Sequence, residues 1–172
     1  MTQQVFFDRY PAGIVLVSVL QTLFIYASGA AIMLYAAPTW AALYLAFCLW
    51  SEYRVLRKSC VNCVYYGQIC AFGRGLVCSW IFRKGDPAAF NTRTPTWAAL
   101  IPDLLISLLP FSVGTFFLIR SFTWPLVGLM VLLVLLAFPG TGFIRSQLAC
   151  AHCRQRQLGC PAERLFGREP TA

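Results

Sequence analysis

Long apolar runs separated by short basic segments set the pattern of this chain. Four runs stand out: Gly13–Ala36, Trp40–Trp50 continuing to Tyr53, Trp97–Ile119 and Phe122–Phe138. A bilayer core of ~30 Å takes ~20 helical residues. The first and third runs meet that length easily. The second and fourth are shorter and carry Trp40, Trp50, Tyr53 and Trp124 where interfacial aromatic belts belong. Ala37-Pro38-Thr39 joins the first pair and Arg120-Ser121 the second. Links this short force antiparallel neighbours. The pattern predicts an all-α integral membrane protein with four transmembrane helices in two antiparallel hairpins, each followed by a Cys-rich segment.

Five stretches result: an N-terminal segment (1–12), a first hairpin (13–56), a Cys-rich interfacial segment (57–94), a second hairpin (95–140) and a Cys-rich tail (141–172). The first run is too long for a cleavable leader and follows Asp8 and Arg9, so it is expected to remain as a signal-anchor. Pro-Thr-Trp-Ala-Ala-Leu occurs twice, at 38–43 and 95–100. In each copy Pro suits a first helical turn, Thr can cap and Trp can anchor, so the repeat reads as interface grammar.

Composition agrees. Of 172 residues 59% are hydrophobic and 12% charged, against about 25% charged in a soluble domain. A disordered chain and a water-soluble globule are both excluded. The formal net charge of +8 would suggest nucleic acid in a soluble protein, but topology accounts for it here. Of 14 Lys and Arg residues, only Arg120 falls between the third and fourth runs. By the positive-inside rule both termini and the middle segment are cytoplasmic, as in a bacterial or archaeal cytoplasmic membrane. The expected partners are the lipid bilayer and other membrane subunits, with no nucleic acid.

Eight cysteines carry the candidate chemistry. Cys60, Cys63 and Cys70 are spaced C-x2-C-x6-C, and Cys150, Cys153 and Cys160 repeat both gaps. Each triplet follows a hairpin, so one plan occurs twice. Cys78 extends the first arm and His152 sits inside the second, whereas Cys48 reads as a small buried apolar residue. Reduced compartments disfavour structural disulfides. Two thiolates on one tight turn can reach a single zinc at ~2.3 Å. Gly67, Gly73 and Gly75 in the first arm, with Gly159 and Pro161 in the second, supply tight backbone.

Three ligand arrangements stay open. Cys60, Cys63, Cys70 and Cys78 close one site and the second triplet with His152 another; or the two C-x2-C pairs converge on one ion; or the thiols hold an iron–sulfur cluster in place of zinc.

The doubled spacing resembles the arms of fungal zinc-cluster transcription factors, which implies a shared thiolate cluster. In that family a short linker joins the arms, where this chain inserts a membrane hairpin. Cys60-Val61-Asn62-Cys63-Val64-Tyr65 is similar to the active motif of bacterial disulfide-forming membrane proteins, which implies quinone-linked thiol oxidation. Mercury-uptake membrane proteins are of similar size, but place their cysteine pair in the first helix.

Residues 64–82 are too apolar for a solvated loop and too broken by glycine for a span, so they are expected at the membrane interface, with Tyr65, Tyr66, Phe72, Trp80 and Phe82 against lipid or protein. Asp103, beside Pro102, is either an intramembrane proton or cation group or a local backbone partner. One His and no paired acids leave no catalytic dyad to assemble. The expected function is therefore a non-enzymatic accessory or assembly subunit with a metal-thiolate site. A thiol-disulfide oxidoreductase and a heavy-metal carrier are the alternatives.

Overall fold

The computed structural model describes residues 6–91, 96–158 and 160. Pro95, which opens the second hexapeptide, and Gly159 and Pro161 lie outside the described residues. The protein is all-helical. Its principal elements are α1 (Ala12–Leu34), α2 (Pro38–Lys58), α3 (Arg74–Ile81), α4 (Ala88–Asn91), α5 (Trp97–Arg120) and α6 (Trp124–Leu135). Three helical stretches are long and apolar enough to cross a membrane: Ala12–Leu34, Leu100–Arg120 and Trp124–Ala149. Only 17% of each one's most apolar window is buried, so the remaining apolar faces need lipid or another protein to cover them.

The last of these runs well past Phe138, where the sequence pattern places its end. Pro139 and Gly140 read as a stop, because proline has no N–H and glycine ends helices. The chain instead passes through a π-helical turn, Leu136–Gly140, and a second, Ile144–Ala149. The turn's own Thr141 N–H donates to the Leu136 carbonyl, and Gln21 of α1 buttresses the same oxygen. Its Nε2 donates to the Leu136 carbonyl at 2.7 Å and to Thr141 Oγ1 at 3.1 Å, while Thr141 Oγ1 donates to the same carbonyl at 3.1 Å. In an apolar surround a loosened helical turn persists where neighbouring side chains satisfy its carbonyls.

By its contacts the chain divides into two compact units. The first to consider comprises 20–52 and 97–142. One cluster in it joins Met33 of α1, Ala41, Tyr44 and Cys48 of α2 and Ile106 of α5; a second joins Ile32 of α1 with Leu126, Met130 and Leu133 of α6. Gly29 is required for the first: a Cβ there would stand 2.2 Å from the Tyr44 hydroxyl. That close approach lets Tyr44 donate to the Ile106 carbonyl at 2.9 Å. Ile106 lies four residues before Pro110, so its carbonyl has no helical N–H. Asp103 has a tertiary partner, since Ser51 Oγ on α2 donates to its Oδ1 at 3.1 Å.

The other unit comprises 1–19, 53–96 and 143–172. It holds the start of α1, the last turns of α2, α3, α4 and both cysteine arms. Its core is Tyr10, Tyr65, Ala71 and Ala149, with Cys63, Cys70 and Cys153 packed against it. The tight backbone expected of the first arm is present. Gly67 and Gly73 adopt φ of 75° and 68°, a region that disfavours other residues. A Cβ on Gly75 would lie 2.2 Å from the Tyr65 carbonyl oxygen.

Candidate functional site

The two arms are built alike at the start. After α2, Cys60–Asn62 forms a 3₁₀ turn, and Cys63 N–H donates back to the Cys60 carbonyl at 3.3 Å. In the second arm Cys153 N–H donates to the Cys150 carbonyl, again at 3.3 Å, and a 3₁₀ turn Arg154–Arg156 follows. The repeated C-x2-C thus encodes the same turn in both arms. The arms then lock together. Gln155, only 3% exposed, accepts from Val64 N–H at 3.0 Å through its Oε1, and the Cys63 thiol points at the same oxygen, 3.9 Å away. Tyr65 OH accepts from Arg154 N–H at 3.0 Å.

The N-terminal segment straps this junction. Phe7 N–H donates to the His152 carbonyl at 3.1 Å, and Tyr65 OH donates to the Phe7 carbonyl at 2.6 Å. Phe7 forms an isolated bridge with Cys153 and sets its ring, tilted, against His152, 4.8 Å between centroids. Asp8 pairs with Arg154. Tyr10 N–H donates to the Ile69 carbonyl of the first arm, while its hydroxyl donates to the Ala149 carbonyl just before the second. One short segment therefore touches both arms.

Four thiols, Cys60, Cys63, Cys78 and Cys153, are raised by burial, with neighbouring cysteines adding to it. Burial pushes Cys60 up to about 12, with Cys70, Cys78 and Cys63 adding to it and Arg74 opposing. Burial also raises Cys63, and its added neighbours include Cys70 of its own arm and Cys160 of the other. Burial pushes Cys153 up to about 12 against the Gln155 N–H, with Cys63, Cys150 and Cys160 adding. Cys78 is raised by burial and by Cys70. Cys63 and Cys153 thus each border thiols of both arms.

No family model, characterised protein or solved structure matches the chain.

All eight cysteines are free thiols in this structure. Among the described residues no three His, Cys, Asp or Glu side chains are placed to close on one metal ion. The donors have the right chemistry for a soft or borderline ion, but not the placement. The two arms meet at Gln155 and in one core, without converging on one ion among the described residues. His152 is held by the ring of Phe7, Cys78 lies fully buried with its thiol 3.6 Å from the Leu56 carbonyl, and Cys150 is exposed. Cys48 belongs to the other unit's core. The sequence pattern missed Phe7, Tyr10, Tyr65 as a hydrogen-bonding residue, and Gln155. Gln155 lies in a basic, polar stretch that looks solvated, and nothing in the sequence marks it as buried.

Proposed function

We propose that the chain is a four-span membrane protein of two antiparallel hairpins whose interlocked cysteine arms take up a soft or borderline metal ion, zinc before an iron–sulfur cluster, on the cytoplasmic side. In that role it serves as a non-enzymatic accessory or assembly subunit of a membrane complex. The observation that carries the reading is the junction at Gln155, which ties Val64 and Cys63 of one arm to the other arm. Thiols that raise one another's pKa are a poor resting state for anions and a good one for a cation that replaces their protons. Since no ready-made ligand set exists among the described residues, binding must draw thiols of the joined arms inward.

Several features support the four-span topology. The 21 residues of α2 extend ~31 Å at 1.5 Å per residue, and its Tyr44 and Cys48 are buried against α1 and α5. Its charged residues, from Glu52 to Lys58, fall in its last two turns. Reporter fusions after Arg83 and after Ala172 are expected to be active only as cytoplasmic reporters.

A thiol-disulfide oxidoreductase is the second reading, favoured by the meeting of Cys63 and Cys153 in one core. Their burial opposes it, because the attacking species in exchange is the thiolate. A heavy-metal carrier shares the first reading's ligands and differs in releasing the ion readily. Metal analysis of the purified protein, combined with counting of free thiols, separates these. Bound metal that is lost to a chelator as thiols become titratable supports the proposal. Eight titratable thiols after incubation with zinc overturn it, and six or fewer in the absence of metal indicate disulfide chemistry.

A further inference from the structure

The eight residues of α3 read Arg-Gly-Leu-Val-Cys-Ser-Trp-Ile. Gly73 starts the helix in a left-handed conformation with φ of 68°. At 100° per residue Gly75 and Cys78 fall on one side, and Leu76, Val77, Trp80 and Ile81 on the other. The first side is docked. Gly75 sits against the Tyr65 and Gln68 carbonyls, too close for any Cβ, and Cys78 is fully buried. The second side is bare: Trp80 is 76% exposed and Ile81 59%, with Leu76 and Val77 exposed as well.

The neighbours of α3 fix its depth. Ideal Cβ positions on Gly73 lie 3.6 Å from Val15 and 3.8 Å from Val19, in the first turns of the Ala12–Leu34 span. Just beyond its other end Phe82 packs its ring on Tyr53 of α2, 5.5 Å between centroids. A helix held beside the entry of a span stands at the level where a bilayer's headgroups meet its acyl chains. Arg83 and Lys84 follow the bare face immediately and are exposed. The nearest acid in sequence, Asp86, is turned to the Ala88 N–H at 2.9 Å.

We propose that α3 is an interfacial anchor: Leu76, Val77, Trp80 and Ile81 enter the acyl boundary of the leaflet, and Arg83 and Lys84 bind the phosphates of anionic lipids. Apolar side chains beside a short basic edge are the recognition chemistry of such surfaces. The inference rests on the membrane spans and is independent of whether the cysteines bind metal. Its consequence is that the first cysteine arm, packed on the buried side of α3, is tied to the leaflet surface.

The test uses the full-length protein in vesicles of phosphatidylcholine mixed with phosphatidylglycerol, one or the other brominated near the carbonyl end of its chains. Subtracting the emission of Trp80→Phe isolates Trp80. Bromolipid is expected to quench Trp80 strongly and aqueous iodide weakly, with brominated phosphatidylglycerol favoured by about fivefold. In Arg83→Gln/Lys84→Gln that preference should fall toward unity while bromolipid quenching persists. Free quenching by iodide would overturn the anchor. So would protection from both quenchers that disappears when the protein is diluted in lipid, since a second copy would then be covering the face. An unchanged lipid preference in the double variant would overturn the role of the two basic residues.

Discussion

The hydroxyl of Tyr44 on α2 donates to the Ile106 carbonyl of α5 at 2.9 Å, the carbonyl that Pro110 leaves without a helical partner. Tyr44 is buried, so the bond supplies what neither water nor lipid can. Removing only the hydroxyl, in Tyr44→Phe, should cost about 1–3 kcal/mol, the penalty for a buried polar group left unpaired. Pro110→Ala restores an N–H to the helix and should make the Tyr44 hydroxyl nearly dispensable. Thermal unfolding of both single variants and the double variant checks this: the double variant should lose much less than Tyr44→Phe alone. Equal losses in the two backgrounds would remove Tyr44 from that role.

Gln21 adds a side-chain bond to the π-helical turn around Pro139, whose Leu136 carbonyl also accepts the Thr141 N–H. Gln21→Leu keeps the volume but strips both donated bonds, to Leu136 O and to Thr141 Oγ1. A loss of about 0.5–1.5 kcal/mol is expected, with Thr141→Val costing more once Gln21 is gone, because the two donors back each other up on the same carbonyl. Hydrogen exchange should quicken selectively between Leu136 and Ala149.

These two contacts also show what the sequence could and could not reveal. Apolar runs of span length made α1 and α5 legible, and Pro38 at the first turn of α2 marks its start. The far end of the Trp124–Ala149 stretch was not legible. Pro139-Gly140 looks like a terminator, and the side chain that buttresses the turn there stands 115 positions away. The repeated C-x2-C pairs form the same turn in both arms. Their interlock depends instead on Phe7, Tyr10, Tyr65 and Gln155, which form no motif because strap contacts need only one hydrogen bond or ring each. Asp103 follows the same logic. Beside Pro102 it looks like a local partner, and only the placement of α2 reveals Ser51.

Tyr65 makes a sharp test of the strap. Its hydroxyl donates to Phe7 O and accepts from Arg154 N–H, so Tyr65→Phe removes one bond to the N-terminal segment and one to the second arm together while keeping the ring. Alkylation of Cys153 in the folded protein should speed up about tenfold, the rate change that ~1.4 kcal/mol of easier local opening brings. Cys48, in the other unit's core, should react as slowly as before. Comparable acceleration at both thiols would mean global destabilisation and no strap.

The raised thiols make stability depend on pH in a direction that can be worked out. In the folded, metal-free protein Cys60 and Cys153 ionise near 12, against an ordinary value of 9.0, chiefly because burial penalises the thiolate. Above pH 9 the unfolded chain therefore releases protons that the folded chain retains, and the unfolded state binds fewer. Stability is fully present below the unfolded value and is lost as pH rises toward 12. Denaturant unfolding of metal-free protein in detergent should accordingly show constant stability from pH 7 to 8 and a steady decline above 9. Cys60→Ala/Cys153→Ala should flatten that decline. Metal-loaded protein should behave oppositely in the acid range, since its thiolates must be reprotonated on release, and it should lose stability as pH falls. A metal-free profile that is flat through pH 10 would show that these thiols are exposed to water in solution.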